Sequence, residues 1–131
     1  MNRRFLIPAA VFGALAVIAG AFLAHQLKQK MPAEAIEVYE TAVRYQFYHV
    51  FALLACGMLA EKFAGAQIRR AGIFFIVGIL LFSGSLYSIS GFMSNGISVP
   101  FVLGILTPVG GFSFILGWVF LTLAISTERR S

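Results

Sequence analysis

An arginine, two tyrosines and a histidine lie close together in the stretch TAVRYQFYH, residues 41–49. These are Arg44, Tyr45, Tyr48 and His49. An arginine guanidinium presents a planar fork of donors that matches a phosphate or carboxylate, whereas a histidine can relay a proton or hold a metal. Glu40 precedes Arg44 by four residues, the helical spacing that favours an ion pair. The stretch therefore predicts a polar site.

The surrounding composition places this stretch in a membrane. Of 131 residues, 60% are hydrophobic and only 11% are charged, with a mean hydropathy of +0.89, whereas soluble proteins are about 25% charged. The runs 5–24, 41–60, 71–92 and 101–126 are long enough for spans of about 20 residues. Because the links are short, we expect one all-α domain over residues 1–131, a bundle of four transmembrane helices.

Basic residues at the ends of the runs predict the topology. If the four runs alternate in direction, one side of the membrane receives Arg3, Arg4, Lys62, Arg69, Arg70, Arg129 and Arg130. The positive-inside rule then places both termini in the cytoplasm or in a mitochondrial matrix. The net charge of +5 does not indicate nucleic acid as a partner, because the basic residues form no stripe with interleaved aromatic residues.

A helix over residues 41–60 would segregate its side chains at about 100° per residue. One side carries the polar and small residues Glu40, Thr41, Arg44, Tyr45, Tyr48, His49, Ala52, Ala55 and Cys56. The other side carries the bulky apolar residues Val43, Phe47, Val50, Leu53, Leu54 and Met58. We expect the first side to face protein and the second to face lipid. Cys56 is the only cysteine, so an intrachain disulfide is excluded.

The first run has the packing pattern of a helix retained in the bundle. Small residues recur at spacings of three and four, namely Ala9, Gly13, Ala16, Gly20 and Ala24, and such a stripe lets a neighbouring backbone approach closely. The run is also longer than the core of a cleaved signal peptide, which has about 7 to 15 residues. His25 ends this helix, either as a wet interfacial residue or as a member of the polar site.

The other two runs contain further polar or irregular features. FSGSLY, residues 82–87, places Ser83, Ser85 and Tyr87 in the third run, where serine favours close packing and local bonding to the backbone. In the fourth run, TPVGG covers residues 107–111. Pro108 would either kink a continuous helix or begin a new helix capped by Thr107, so a helix break is expected at Pro108, Gly110 and Gly111.

With alternating spans, all these features occupy the outer half of the bundle. We therefore predict one polar, ligand-binding cluster, with Arg44, Tyr48, His49, Tyr87 and Thr107 within reach of one another. The full set of candidate residues is His25, Glu40, Arg44, Tyr45, Tyr48, His49, Ser83, Ser85, Tyr87 and Thr107.

Four blocks in this order carry a family resemblance: GAFLAH (residues 20–25), TAVRYQFYH, FSGSLY, and TPVGG followed by Gly117 and Trp118. They resemble the domain-of-unknown-function 423 family of small four-span bacterial inner-membrane proteins, which is similar to the mitochondrial transmembrane protein 256. The resemblance implies a multi-pass protein of the bacterial cytoplasmic membrane. It carries no established reaction, although a staphylococcal relative is associated with membrane integrity.

Three classes of function follow from these patterns. The first is a non-enzymatic protein that binds membrane lipids, a second copy of itself or a membrane-complex partner at the polar cluster and supports envelope integrity. The second is transport of a proton, ion or small solute by an oligomer. An enzyme is disfavoured. His25, Glu40 and His49 could hold a metal, but the chain has no metalloprotease, paired-cysteine or nucleophile-elbow motif. We expect no cofactor and no metal.

Overall fold

The computed structural model describes residues 2–63 and 65–127, and these ranges are helical without any strand. Helix α1 (Arg3–Phe22) continues into a π-helical turn (Leu23–Leu27), and α2 follows (Ala33–Leu59). Helix α3 (Ala66–Gly78) passes through a second π-helical turn (Ile79–Ser83) into α4 (Gly84–Ser94), and α5 (Phe101–Ser126) is last. The all-α prediction is confirmed. Arg129 and Arg130, used for the topology, lie outside the described residues.

The helix boundaries follow local sequence signals. The Asn2 side chain accepts a hydrogen bond from the Arg4 amide at the start of α1, as an N-cap residue does. Pro32 and Pro100 stand immediately before α2 and α5, and their fixed φ and missing N–H suit the entry to a helix. Gly96 has a φ of 65° after α4, a conformation that glycine adopts without steric cost.

Three helical segments are long and apolar enough to cross a membrane: Arg3–Leu27, Ala66–Ser94 and Phe101–Ser126. Within the described ranges α2 does not meet that criterion, because Glu34, Glu37, Glu40 and Arg44 lie in its first half and the polar residues Gln46 and His49 follow. The outward faces of the bundle are covered by large apolar side chains, for example Ile18 and Phe51, each 62% exposed. Such a surface is suited to hydrocarbon and not to water.

Helix α2 is central to the bundle. Helix α1 packs along it, α3 and α4 pack against its other side, and α5 packs along α3. The small-residue stripe of α1 faces α2, since Ala9 and Ala16 are fully buried and Gly13 and Gly20 lie opposite Val50 and Val43. The predicted close approach is confirmed over residues 9–20, whereas Ala24 is exposed.

The prediction about the two sides of α2 is partly wrong. Val50 and Leu53, expected to face lipid, are 3% and 0% exposed. Tyr45 and Tyr48, expected to face protein, are 38% and 52% exposed, and Arg44 is exposed as well. The reason is that α2 has neighbours on two sides, so its apolar residues pack against α1 and the interior while part of its polar side points outward.

The expected interruption of the fourth helix at Pro108 is also wrong. Helix α5 is one α-helix from Phe101 to Ser126 with Pro108 inside it. Thr107 donates a hydrogen bond to the Leu103 carbonyl one turn earlier, at 3.1 Å, and Gly110 is buried against the backbone of Phe82. Local hydroxyl bonding and packing by neighbouring helices are what allow proline inside a membrane helix. A kink at Pro108 stays a prediction.

Candidate functional site

The structure distributes the predicted cluster over several regions instead of one. Glu40 and Arg44 line a groove between α1 and α2. Tyr45, Tyr48 and His49 line a second groove, between α2 and α5.

The remaining candidates lie elsewhere. Ser83, Ser85, Tyr87 and Thr107 form hydrogen bonds within and between helices. His25 is exposed in the first π-helical turn. Pro108 and Gly111 line the groove between α2 and α5.

The α1/α2 groove has a volume of about 350 Å³ and combines small, apolar and charged residues. Its lining is Gly20, Leu23, Ala24, Lys28, Glu40, Val43 and Arg44. The expected ion pair between Glu40 and Arg44 is not formed in the part of the chain that the structure describes. With two cations and one carboxylate, the groove has an excess positive charge and an exposed guanidinium, so it is suited to an anion.

Gln46 joins three helices and was not among the candidate residues. Its Nε2 donates to the Phe12 carbonyl of α1 at 2.8 Å, and its Oε1 accepts from the Tyr87 hydroxyl of α4 at 2.7 Å. Nearby, the Tyr39 hydroxyl donates to the Ala19 carbonyl at 2.8 Å. The available signal was a carboxamide in a run of membrane length, because buried polar residues there are costly unless paired.

The serines also hold helices together. Ser83 donates to the Ala42 carbonyl at 2.8 Å and Ser90 to the Ala35 carbonyl at 2.7 Å. The Ser85 and Thr107 hydroxyls are 2.6 Å apart and link α4 to α5. Every buried side-chain nitrogen or oxygen in residues 2–63 and 65–127 has a hydrogen-bond partner. These groups therefore stabilise helix packing and offer no unpaired atom to a ligand.

His49 connects α2 to α5. Its Nδ1 is 2.7 Å from the Tyr45 carbonyl oxygen, its Nε2 accepts a hydrogen bond from Trp118 Nε1 at 3.2 Å, and its ring stacks on Phe114 with centroids 3.5 Å apart. An indole N–H can only donate, so Nε2 carries a lone pair and the proton is on Nδ1. His49 is thus a neutral histidine with both nitrogens occupied.

This arrangement predicts the tautomer of His49. We expect its ¹⁵N resonances in bilayers at neutral pH to show a protonated Nδ1 and an unprotonated Nε2, because the indole of Trp118 requires an acceptor. His25, which is exposed, serves as the reference histidine. A protonated Nε2 on His49 would contradict the assignment, and Trp118→Phe should relax the preference for one tautomer.

A metal site built from His25, Glu40 and His49 does not form, since His49 is buried beside Phe114 and Trp118 while His25 and Glu40 are exposed. The described residues contain no group of three histidine, cysteine or acidic side chains able to hold a metal ion.

The α2/α5 groove is larger, about 800 Å³, and mainly aromatic. It is lined by Tyr45, Tyr48, His49, Phe82, Pro108, Gly111, Phe112, Phe114, Ile115 and Trp118. Its rim is accessible, because Tyr48 is 52% and Trp118 47% exposed. Its floor is the stacking contact of the buried rings of His49 and Phe114. The groove is therefore open toward the surroundings of the bundle and closed toward its interior.

An all-helical chain with apolar outward faces, whose buried polar groups join helices, is an integral membrane protein. The chain belongs to the family described as "Protein of unknown function (DUF423)", whose model matches residues 19–111. The resemblance of the four sequence blocks to that family is confirmed.

Relatives of similar length occur in several bacteria. The UPF0382 membrane protein YwdK of Bacillus subtilis is 39% identical over 121 residues, covering 92% of this chain and 94% of the relative. The UPF0382 inner membrane protein YgdD of Escherichia coli is 34% identical over 132 residues, covering 99% and 96%. A UPF0382 membrane protein of Haemophilus influenzae is 37% identical over 122 residues, covering 91% and 90%. No solved structure matches the chain.

Proposed function

We propose that this protein is a four-span, non-enzymatic inner-membrane protein that binds the phosphate of a membrane lipid in the α1/α2 groove and thereby supports envelope integrity. The observation that carries the proposal is the Arg44 guanidinium, which is exposed, lines a groove with small and apolar residues and forms no ion pair with Glu40. A cation beside a membrane requires an anionic partner or water, and a lipid phosphate offers two oxygens to the guanidinium fork.

Packing along α1 supports α2 as the fourth span. Val43 lies opposite Gly20, Val50 opposite Gly13, and Gly57 opposite Leu6, so residues 43–57 of α2 run antiparallel to residues 6–20 of α1. The two segments therefore have the same depth in the membrane. The exposed side chains of this part of α2 include Phe51 and Met58, which tolerate hydrocarbon.

The orientation follows from the charges at the helix ends. Arg3 and Arg4 begin α1, and its first residues lie beside the end of α2, since the Asn2 amide donates to the Gly57 carbonyl at 3.0 Å. Arg69 and Arg70 are in the first turns of α3. The positive-inside rule places this end, and with it both termini, in the cytoplasm.

Arg44 is then near the outer surface of the membrane. Its neighbour Val43 is level with Gly20, close to the end of α1, and a long basic side chain at this depth extends toward the headgroup layer. Lys28, just after the first π-helical turn, adds a second cation to the groove, while Glu40 reduces the net charge. The α1/α2 groove is therefore suited to a lipid phosphate.

The test is native mass spectrometry of protein purified in mild detergent. Arg44→Gln should retain about fivefold less phospholipid than wild type, since one basic residue near the surface contributes about 1 kcal/mol of attraction to an anionic lipid. The matched control is Arg69→Gln, an exposed arginine at the other end of the bundle, and it should retain the wild-type amount. Equal retention by both variants would refute lipid binding at Arg44.

The envelope role is tested separately in a deletion strain exposed to detergent. Wild type and Arg69→Gln should restore growth, whereas Arg44→Gln should not. Full restoration by Arg44→Gln would separate lipid binding from the cellular role.

A further inference from the structure

We infer that the α2/α5 groove holds an acyl chain of the phospholipid whose phosphate Arg44 binds. This inference rests on the proposed function and specifies its ligand as a lipid with long hydrocarbon chains. It is supported by the order of side chains on α2, by the walls of the groove and by its volume.

The outward ridge of α2 bears one residue of each groove, Arg44 of the α1/α2 groove and Tyr48 of the α2/α5 groove. Arg44, Tyr48, Phe51 and Met58 are all exposed, and their spacing of four, three and seven residues places them along one side of the helix. Along this ridge a cation is followed by a phenol, a phenyl ring and a thioether. The order matches a phospholipid aligned with the helix, with its phosphate first and its hydrocarbon below.

The walls of the groove are suited to hydrocarbon. Below the Tyr45 and Tyr48 phenols the lining is aromatic or aliphatic, including Phe112 and Ile115, and both nitrogens of His49 already have partners. A polar ligand would find no unpaired buried donor or acceptor here, because none exists among the described residues. An acyl chain needs no such partner, and it gains free energy from close contact with the rings.

The volume of about 800 Å³ is in the range of known ligand sites, about 300 to 1,000 Å³. Gly111 keeps part of this space open, since a Cβ atom added there would meet only the ring of Phe82, at 3.7 Å, an ordinary contact. Since Gly111 lines the groove, we expect a leucine at this position to extend into it.

Trp118 lines the groove and is the only tryptophan of the chain, so its fluorescence reports on the occupant. The protein is reconstituted in phosphatidylcholine vesicles to which dibrominated phosphatidylglycerol or dibrominated phosphatidylcholine is added, because bromine on an acyl chain quenches a nearby indole. We expect half-maximal quenching at about fivefold lower mole fraction for the phosphatidylglycerol, the preference provided by one cation.

Two leucine variants test whether the acyl chain lies in the α2/α5 groove. Gly111→Leu should abolish the preference by filling the groove, although Arg44 is unchanged. Gly104→Leu, on the same helix at a position with no neighbouring atom within 4 Å, should retain it. The preference is a ratio of two lipids in one protein, so changes in the intrinsic fluorescence of a variant cancel.

The outcomes separate this inference from the proposed function. If Gly111→Leu keeps the preference, or if wild type shows none, the groove does not hold the acyl chain of the lipid that Arg44 binds, and the inference is overturned. Loss of phospholipid from Arg44→Gln in native mass spectrometry would then still support phosphate binding. If Arg44→Gln retains its lipid while phosphatidylglycerol still quenches Trp118 at the lower mole fraction, the proposed headgroup site fails instead.

Discussion

Gly110→Ala is expected to lower the free energy of unfolding by about 2 kcal/mol, because the added methyl group would overlap the backbone of Phe82. Gly110 is the point of α5 closest to the second π-helical turn, where the main chain of Phe82 leaves no space for a Cβ atom. A flexible side chain could move aside, but a backbone segment inside a packed bundle cannot. The two helices would have to separate, which would also weaken the nearby bond between Ser85 and Thr107.

Unfolding in mixed micelles with increasing SDS measures this effect. Gly104→Ala is the matched control on the same helix, since a Cβ atom there meets nothing within 4 Å. Alanine has a higher helix propensity than glycine by up to about 1 kcal/mol, so this control should be neutral or stabilising. Equal stabilities of the two variants would show that α5 does not approach the second π-helical turn as closely as described.

Gln46→Met should have a comparable effect, a loss of about 2 kcal/mol. Methionine has a similar length but cannot accept from Tyr87 or donate to Phe12. Hydrogen bonds between membrane helices contribute about 0.6 kcal/mol on average and at most about 1.7. The Tyr87 hydroxyl would in addition lose its partner, which costs about 1 to 3 kcal/mol where water is excluded.

A double-mutant cycle isolates the bond between Gln46 and Tyr87. Tyr87→Phe alone should cost about 1 kcal/mol, and the double variant should cost about as much as Gln46→Met alone, because its phenyl ring leaves no orphaned hydroxyl. SDS unfolding of the four proteins yields the coupling energy. Strictly additive changes in the free energy of unfolding would mean that the two side chains do not interact in the membrane. Gln46 would then not link α2 to α4.

These two predictions concern stability, whereas the predictions for Arg44 and Gly111 concern binding. This division reflects the structure. Buried polar groups such as Gln46 and Ser83 have partners within the bundle, so they maintain the fold. Arg44 and Tyr48 are exposed on α2, so they face whatever surrounds the protein. Separating the two sets identifies which substitutions should alter lipid binding without unfolding the chain.

Much of this organisation could be predicted from single runs of residues. The small-residue stripe over residues 9–20 correctly indicated a close helix contact, because that contact depends only on spacing along one helix. The serines of FSGSLY were correctly associated with packing and backbone bonds. In both cases the prediction needs only the residue types along one helix, because small residues and serines favour close packing whichever helix is the neighbour.

Other features depended on neighbours that no local pattern specifies. The sides of α2 were partly misassigned because a helix with neighbours on two sides buries apolar and polar residues alike. Gln46 was missed because its partners, Phe12 and Tyr87, are 34 and 41 residues away. The single cluster became separate regions because Arg44 and His49 are directed to different neighbouring helices.

The sequence by itself determined the environment and the family of this protein, since hydropathy is a sum over residues and four sequence blocks stand in a recognisable order. Only the tertiary structure decided which polar side chains find partners inside the bundle and which remain exposed. The physical reason is that a hydrogen bond between helices requires two distant residues to meet at about 3 Å, and that meeting is set by how the helices pack.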